Sequence, residues 1–303
     1  MQNIFKAFLV LFFFLNGWSV SLEARQVYDQ LGRQVKIPAN PMRIVSLAPS
    51  VTECVFALNQ GNRLVGVTMF SDYPPQAAQL YKVGSYVNLD LEKIVSLHPD
   101  LCLATKDGNP IDVIKRLENI GIPVYALDPR DLPTVLETIE VLGGLLNATQ
   151  QANAVSDNMR QRIELVKNRV AKCQWNPRVF FQIGIAPIVS VGKQTFIHEL
   201  ISLAGGVNAA SGPTDYPRFS REEVLVLRPD IIVINSMTKD DKLLERAIEQ
   251  WNRFPNIPAV KNKRIYSVNS DYFDRASPRL VSGLEILAKL FHPRIFSDLE
   301  SVD

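Results

Sequence analysis

Twelve residues recur without a gap 130 positions apart. Glu92-Lys-Ile-Val-Ser-Leu-His-Pro-Asp-Leu-Cys-Leu aligns with Glu222-Glu-Val-Leu-Val-Leu-Arg-Pro-Asp-Ile-Ile-Val, and the Pro-Asp pairs at 99–100 and 229–230 coincide. Each copy reads as a helix–strand unit. Two such units in register imply a chain built from two related α/β lobes, and the segments around them agree. Strand patterns at 43–48, 64–68, 100–104 and 124–127 alternate with helical ones at 91–97 and 111–120. A capping box is expected at Ser50-Val-Thr-Glu53, with Ser50 as N-cap, opening a helix that runs to Leu58. After Pro177 the alternation resumes with strands at 179–185, 231–235 and 264–268 and helices at 195–203, 242–251 and 279–290. Strands alternating with helices indicate mostly parallel sheets.

Between the halves the pattern turns helical from Pro133 to about Lys172, with a break expected at Gly143-Gly144. Residues 148–172 hold no Gly or Pro and are rich in Gln, Asn, Arg and Lys. As one helix this stretch would be a rod of roughly 37 Å, enough to span a small domain. The expected fold is therefore α/β, two Rossmann-like lobes joined by one long helix. The expected divisions are 25–145 for the first lobe, 146–174 for the bridge and 175–303 for the second.

Residues 1–24 follow a different logic. Lys6 is the first charge, an apolar run extends from Ala7 to Leu15, and Asn16-Gly17 breaks it. The run is shorter than the ~20 residues a bilayer span needs and is laid out as a cleaved secretory leader. Cleavage is expected after Ala24, with Ser21 competing. No cysteine lies near either point to carry a lipid. Lys+Arg 33 against Asp+Glu 31 gives a net charge of +2, too balanced for a protein that binds nucleic acid by neutralising phosphates. The three cysteines are an odd set for an exported chain. Cys54 and Cys102 lie in apolar patterns and are expected as buried thiols; at most one disulfide could form among Cys54, Cys102 and Cys173, and the spacing does not say which.

Enzyme signatures are absent: G-x-S-x-G, G-x-x-x-x-G-K-[ST] and G-x-G-x-x-G do not occur. His198-Glu199 starts like a zinc-protease helix but lacks a histidine at 202, and His98 and His292 lie far off in sequence. Two loops carry unusual chemistry instead. Ser71-Asp-Tyr-Pro-Pro75 follows a strand, and its prolines would hold Tyr73 outward at little entropic cost. Asp271-Tyr-Phe-Asp-Arg-Ala-Ser-Pro278 follows another strand and gathers Asp271, Tyr272, Phe273, Asp274 and Arg275. Ligands of open α/β sheets bind beyond the carboxyl ends of the strands, so these loops, one per lobe, are expected to line a cleft. Tyr86 and Tyr216, in the loops before the two repeated units, are further candidates. Glu92 and Glu222 each fall in the first turn of a helix. There an acid complements the macrodipole, or the matched pair offers one exposed charge per lobe to a partner.

These segments together resemble the iron-siderophore/cobalamin class of periplasmic binding proteins, over about residues 41–292. Those that carry the resemblance are Arg43-Ile-Val-Ser-Leu-Ala-Pro-Ser-Val-Thr-Glu53, Ser71-Asp-Tyr-Pro-Pro75, Leu91-Glu-Lys-Ile-Val-Ser-Leu-His-Pro-Asp-Leu101 and Asp271-Tyr-Phe-Asp-Arg-Ala-Ser-Pro-Arg279. The Tyr73 and Asp271–Arg275 loops match the cobalamin branch. The resemblance implies a periplasmic monomer that is not an enzyme and has no resident cofactor. It would hold a corrinoid between its lobes and carry it to an ABC transporter, a permease dimer with ATPase subunits. Tyr73, Tyr86, Tyr216 and Asp271–Arg275 become cleft residues, and Glu92 and Glu222 become the acids that dock on permease arginines. The corrin and its own base can hold the cobalt, so no protein metal ligand is implied. Close members of that branch tend to place tryptophans around the cleft where this chain has Tyr86, Thr105 and Tyr216. Haem or a ferric siderophore is the alternative cargo, and an exported α/β enzyme is the remaining alternative function.

Overall fold

The computed structural model describes residues 24–236 and 241–298. The expected leader lies outside the described residues as far as Ala24, where the first strand begins. Ala24–Tyr28 (β1) and Gln34–Pro38 (β2) form an antiparallel hairpin that no sequence pattern announced. Arg25 ties it down by donating to the carbonyls of Gly144 and Leu145 at 2.9 and 2.8 Å.

The first lobe is a four-stranded parallel sheet of Ile44–Ser46 (β3), Leu64–Val67 (β4), Leu101–Thr105 (β7) and Val124–Leu127 (β8), in the order β4-β3-β7-β8. Between β4 and β7 the chain makes a small hairpin, Gly84–Ser85 (β5) with Asn88–Leu89 (β6). The helices are Pro49–Ala57 (α1), Pro75–Ala78 (α2), Leu91–Ser96 (α3), Ile111–Asn119 (α4) and Leu132–Leu145 (α5). From β3 the chain moves to one neighbour and returns to the other, which puts a switch point at the carboxyl ends of β3 and β7.

Thr149–Val170 (α6) is the expected bridge. It buries Ala152, Ser156, Met159 and Val166, a spacing of about one helical turn that keeps a single face inward. The second lobe holds Arg178–Gly184 (β9), Ile188–Ser190 (β10), Val207–Asn208 (β11), Arg218–Phe219 (β12), Ile231–Ser236 (β13) and Ile265–Asn269 (β14). β9, β13 and β14 run parallel, and β10 and β12 add antiparallel strands at one edge. Its helices are Phe196–Leu203 (α7), Arg221–Leu227 (α8), Asp241–Asn252 (α9), Pro258–Lys261 (α10) and Leu280–Phe291 (α11). One apolar cluster runs through both lobes, from Ile44 and Leu103 past Met159 and Val166 to Phe181 and Phe291. A core shared across the bridge couples the lobes mechanically.

Two local expectations fail for identifiable reasons. The capping box at Ser50 does not form: Ala48 is the N-cap, Pro49 takes the first helical position and Glu53 points away, 3% exposed. Proline pre-sets φ for a helix start, so the helix begins two residues early and Glu53 is released for another use. Gly143-Gly144 does not break α5 either. A Cβ at Gly143 would lie 2.4 Å from the Ala152 Cβ, so the glycine permits α5 and α6 to cross closely. The break comes instead at Leu146–Ala148, where Asn147 adopts a left-handed φ of 54°.

Cys54 and Cys102 are buried, as expected, and burial pushes the Cys102 thiol up to about 12. Cys173 is partly exposed on the turn after α6.

Candidate functional site

The carboxyl ends of both sheets carry the loops singled out from sequence. In the first lobe Ser71 anchors the loop after β4. Its hydroxyl is bonded to those of Thr52 and Thr68 at 3.0 and 2.9 Å, and its carbonyl accepts from Lys82 Nζ at 2.9 Å. With Ser71 buried and Pro75 opening α2, Tyr73 is left 45% exposed. Asn109 fixes the switch point. Its Oδ1 accepts the Thr105 N–H, and its Nδ2 donates to the carbonyls of Leu47 and Tyr86, each at 2.8 Å. Tyr86 stands at the turn between β5 and β6 and lays its ring on Gly108, where a Cβ would come within 2.2 Å.

In the second lobe the chain leaves β14 through a short 3-10 turn at Ser270–Tyr272, capped by Asn269, whose Oδ1 accepts the Asp271 N–H. Asp271 then pairs with Arg275 at 3.0 Å. Asp274 accepts from Asn235 Nδ2 at 2.7 Å, and burial pushes its carboxyl up to about 6. Phe273 serves the core: it is fully buried, its ring 5.4 Å from Phe181. Gly283 makes room for this loop, since a Cβ there would sit 2.5 Å from the Tyr272 carbonyl.

The loops of the two lobes meet. Arg275 lies 2.8 Å from both Glu53 and Asp72 of the first lobe and donates to the Phe70 carbonyl at 3.2 Å. The Arg279 guanidinium stacks 4.0 Å above the Tyr73 ring and 5.5 Å from that of Tyr272, distances at which a cation is attracted to an aromatic face. Tyr216 lies in the second lobe just before β12 and is exposed. Partial burial raises its phenol, and Asp215, Asp107, Asp274 and Tyr86, charges drawn from both lobes, raise it further. Tyr73, Asp271, Tyr272 and Arg275 come together around Arg279 and Glu53; Tyr86 packs on Gly108, Asp274 is held by Asn235, Tyr216 is exposed and Phe273 is buried in the core.

Glu53, Asp72, Asn109, Asn235 and Arg279 were not singled out for the site. Asp72 and Arg279 lie in the same loop segments as the expected residues; Glu53 carries the local signature of a cap, and Asn109 and Asn235 carry no sequence signal.

Glu92 and Glu222 are exposed in the first turns of α3 and α8. Asp90 and Ser220 do the capping, and Glu223 rather than Glu222 completes the Ser220 capping box. Both matched acids thus face solvent. Among the described residues no group of three or more His, Cys, Asp or Glu is placed to hold a metal, and no helix is long and apolar enough to cross a membrane.

Residues 44–272 match the sequence family described as periplasmic binding protein. Over 252 residues the chain is 33% identical to a vitamin B12-binding protein of Photorhabdus laumondii, covering 83% of this chain and 88% of that one. The solved periplasmic vitamin B12 binding protein of Vibrio cholerae has a TM-score of 0.74 at 30% identity, over 86% of this chain and 100% of its own. A periplasmic heme binding protein of Pseudomonas aeruginosa has a TM-score of 0.77 at 29% identity, over 84% and 94%.

Proposed function

We propose that this chain, which belongs to the periplasmic binding protein family, captures cobalamin between its lobes and delivers it to an ABC importer. It is a class III binding protein of the vitamin B12, haem and siderophore type; the choice of cobalamin and the delivery step are our reading. The observation that carries it is the meeting of the Tyr73 and Asp271–Arg279 loops across the lobes, with Arg279 4.0 Å over Tyr73 and Arg275 2.8 Å from Asp72. A corrinoid is a large disc with an apolar rim and many amide arms. Aromatic faces at Tyr73, Tyr86 and Tyr216 suit the rim, and the carboxylates of Asp271 and Asp274 suit amide N–H donors.

The chain acts as a carrier and not as a catalyst on this reading. A leader of the kind expected at residues 1–24 would export it. Glu92 and Glu222, one exposed acid per lobe, meet basic patches on the permease.

Titration calorimetry of the mature protein with cyanocobalamin tests the cargo. A 1:1 isotherm at micromolar or tighter, about −8 kcal/mol, is expected. No heat from folded protein overturns the cobalamin reading, and the same titration with haemin then decides the alternative.

A further inference from the structure

Among the described residues Glu53 is the most heavily bonded side chain between the lobes. It sits on α1 of the first lobe, 3% exposed, and accepts from Arg275, Ser277 and Arg279 of the second. Oε1 takes bonds from Arg275 (2.8 Å) and Arg279, and Oε2 takes them from the Ser277 hydroxyl (2.6 Å) and Arg279 Nε (2.9 Å). Arg275 is further bound to Asp72 at 2.8 Å and Asp271 at 3.0 Å. Three carboxylates thus surround two guanidiniums at the cleft floor.

A ligand carboxylate entering such a cleft loses water and needs a counter-ion in return, because an unpaired buried charge costs several kcal/mol. A ligand amide needs only an acceptor for its N–H. Arg275 and Arg279 are the cations placed to serve a carboxylate here, and Glu53 already occupies both.

We propose that Glu53 sets the charge selectivity of the cleft: by holding Arg275 and Arg279 it excludes ring ligands bearing free carboxylates and leaves the site to amide-bearing ones. The proposal rests on the cleft being the ligand site. Glu53 is buried and acts through the two arginines, so it is a specificity-determining residue that does not touch the ligand.

Haemin and its dimethyl ester isolate the effect, since they share a ring and differ in two carboxylates. Wild-type protein, Glu53→Gln and Asp72→Asn are each titrated with both probes and with cyanocobalamin, following absorbance. The expected result is an affinity ratio, haemin over ester, that rises about tenfold in Glu53→Gln, a change worth about 1.4 kcal/mol. Asp72→Asn, at a half-exposed position that leaves Glu53 in place, should move the ratio the same way by a smaller factor. A ratio unchanged in both variants, or no haemin binding by either, overturns the proposal. Should Glu53→Gln fail to fold, Asp72→Asn decides alone. If the wild type ignores cyanocobalamin, the cobalamin reading falls while the haemin-to-ester ratio still decides the role of Glu53.

Discussion

His98 and Arg228 occupy the same place in the two halves of the molecule, and both hold left-handed backbone, with φ of 45° and 46°. Each ends a short helix and precedes Pro-Asp, and each aspartate then binds the start of a neighbouring strand. Asp100 accepts the Arg43 N–H at 3.0 Å, and Asp230 accepts the Arg178 N–H at 2.9 Å. The two arginines return the contact through Nε, to the His98 carbonyl at 3.1 Å and the Leu227 carbonyl at 3.2 Å. The sequence repeat is thus a repeat of hydrogen bonds as well as of residue types.

If this device closes both lobes, removing either aspartate should have a similar effect. Asp100→Ala and Asp230→Ala are each expected to cost about 1–2 kcal/mol, the usual worth of charge-assisted hydrogen bonds at partly exposed sites. Urea denaturation monitored by circular dichroism checks this. One silent variant beside one damaging variant would make the symmetry decorative.

Tyr73 offers its ring to the cleft on a loop fixed by Ser71. Tyr73→Ala is expected to weaken cyanocobalamin binding about tenfold or more, whereas Tyr73→Phe, which keeps the aromatic face, stays within about threefold. Unchanged affinity in the alanine variant by calorimetry removes Tyr73 from the site.

Asp274 gives the fold a pH signature. Burial moves its carboxyl from 3.8 to about 6, against the opposing hydrogen bond from Asn235. The folded protein therefore holds this proton more tightly than the unfolded chain. Its contribution is fully present below about pH 4 and is lost as pH rises through 6. Asp274→Asn should flatten the stability curve between these limits. It should also raise neutral-pH stability by about 2–3 kcal/mol, since each tenfold change in proton affinity is worth about 1.4 kcal/mol. Parallel denaturation curves against pH for the two proteins would contradict it.

Gly143 marks a crossing of helices, so its replacement should act through packing. With the Ala152 Cβ only 2.4 Å from where a Cβ would stand, Gly143→Ala must push α5 from α6 at a cost of about 1–3 kcal/mol. Gly144, whose Cβ would meet nothing within 4 Å, is the control: Gly144→Ala should be neutral or stabilising, by up to about 1 kcal/mol. Equal thermal midpoints for both variants would restore the reading of the pair as a helix break.

Sequence exposed what depends on local order: alternating strands and helices, the bridge at Thr149–Val170 and the loops beyond the strands. It concealed what depends on meetings across the chain. Glu53 and Arg279 are 226 positions apart, and nothing near Glu53 signals a partner that distant, so the local capping rule claimed it. Phe273 fails similarly. A stretch of five residues holding two aromatics and three charges reads as one exposed loop, but its 3-10 turn sends Phe273 into the core. The β1–β2 hairpin carries little apolar signal, because only one of its ten strand residues, Ile37, is buried.

The exposed acids Glu92 and Glu222 support the last expectation. Their neighbours carry the capping, so charge reversal should leave each helix intact. Neither acid belongs to the loops at 71–75 or 271–279, so reversal should leave the cleft unchanged. Two acids presented by matched helices, one on each lobe, suit a partner that is itself two-fold and basic, as a permease dimer with one arginine patch per subunit would be. Exposed ion pairs are individually weak, ~1 kcal/mol or less, so docking should need both, and each single reversal should reduce uptake only in part. Glu92→Lys with Glu222→Lys should abolish cobalamin uptake in cells while purified protein keeps wild-type affinity by calorimetry. Uptake that persists in the double variant, with the protein exported at normal levels, would show that docking uses another surface.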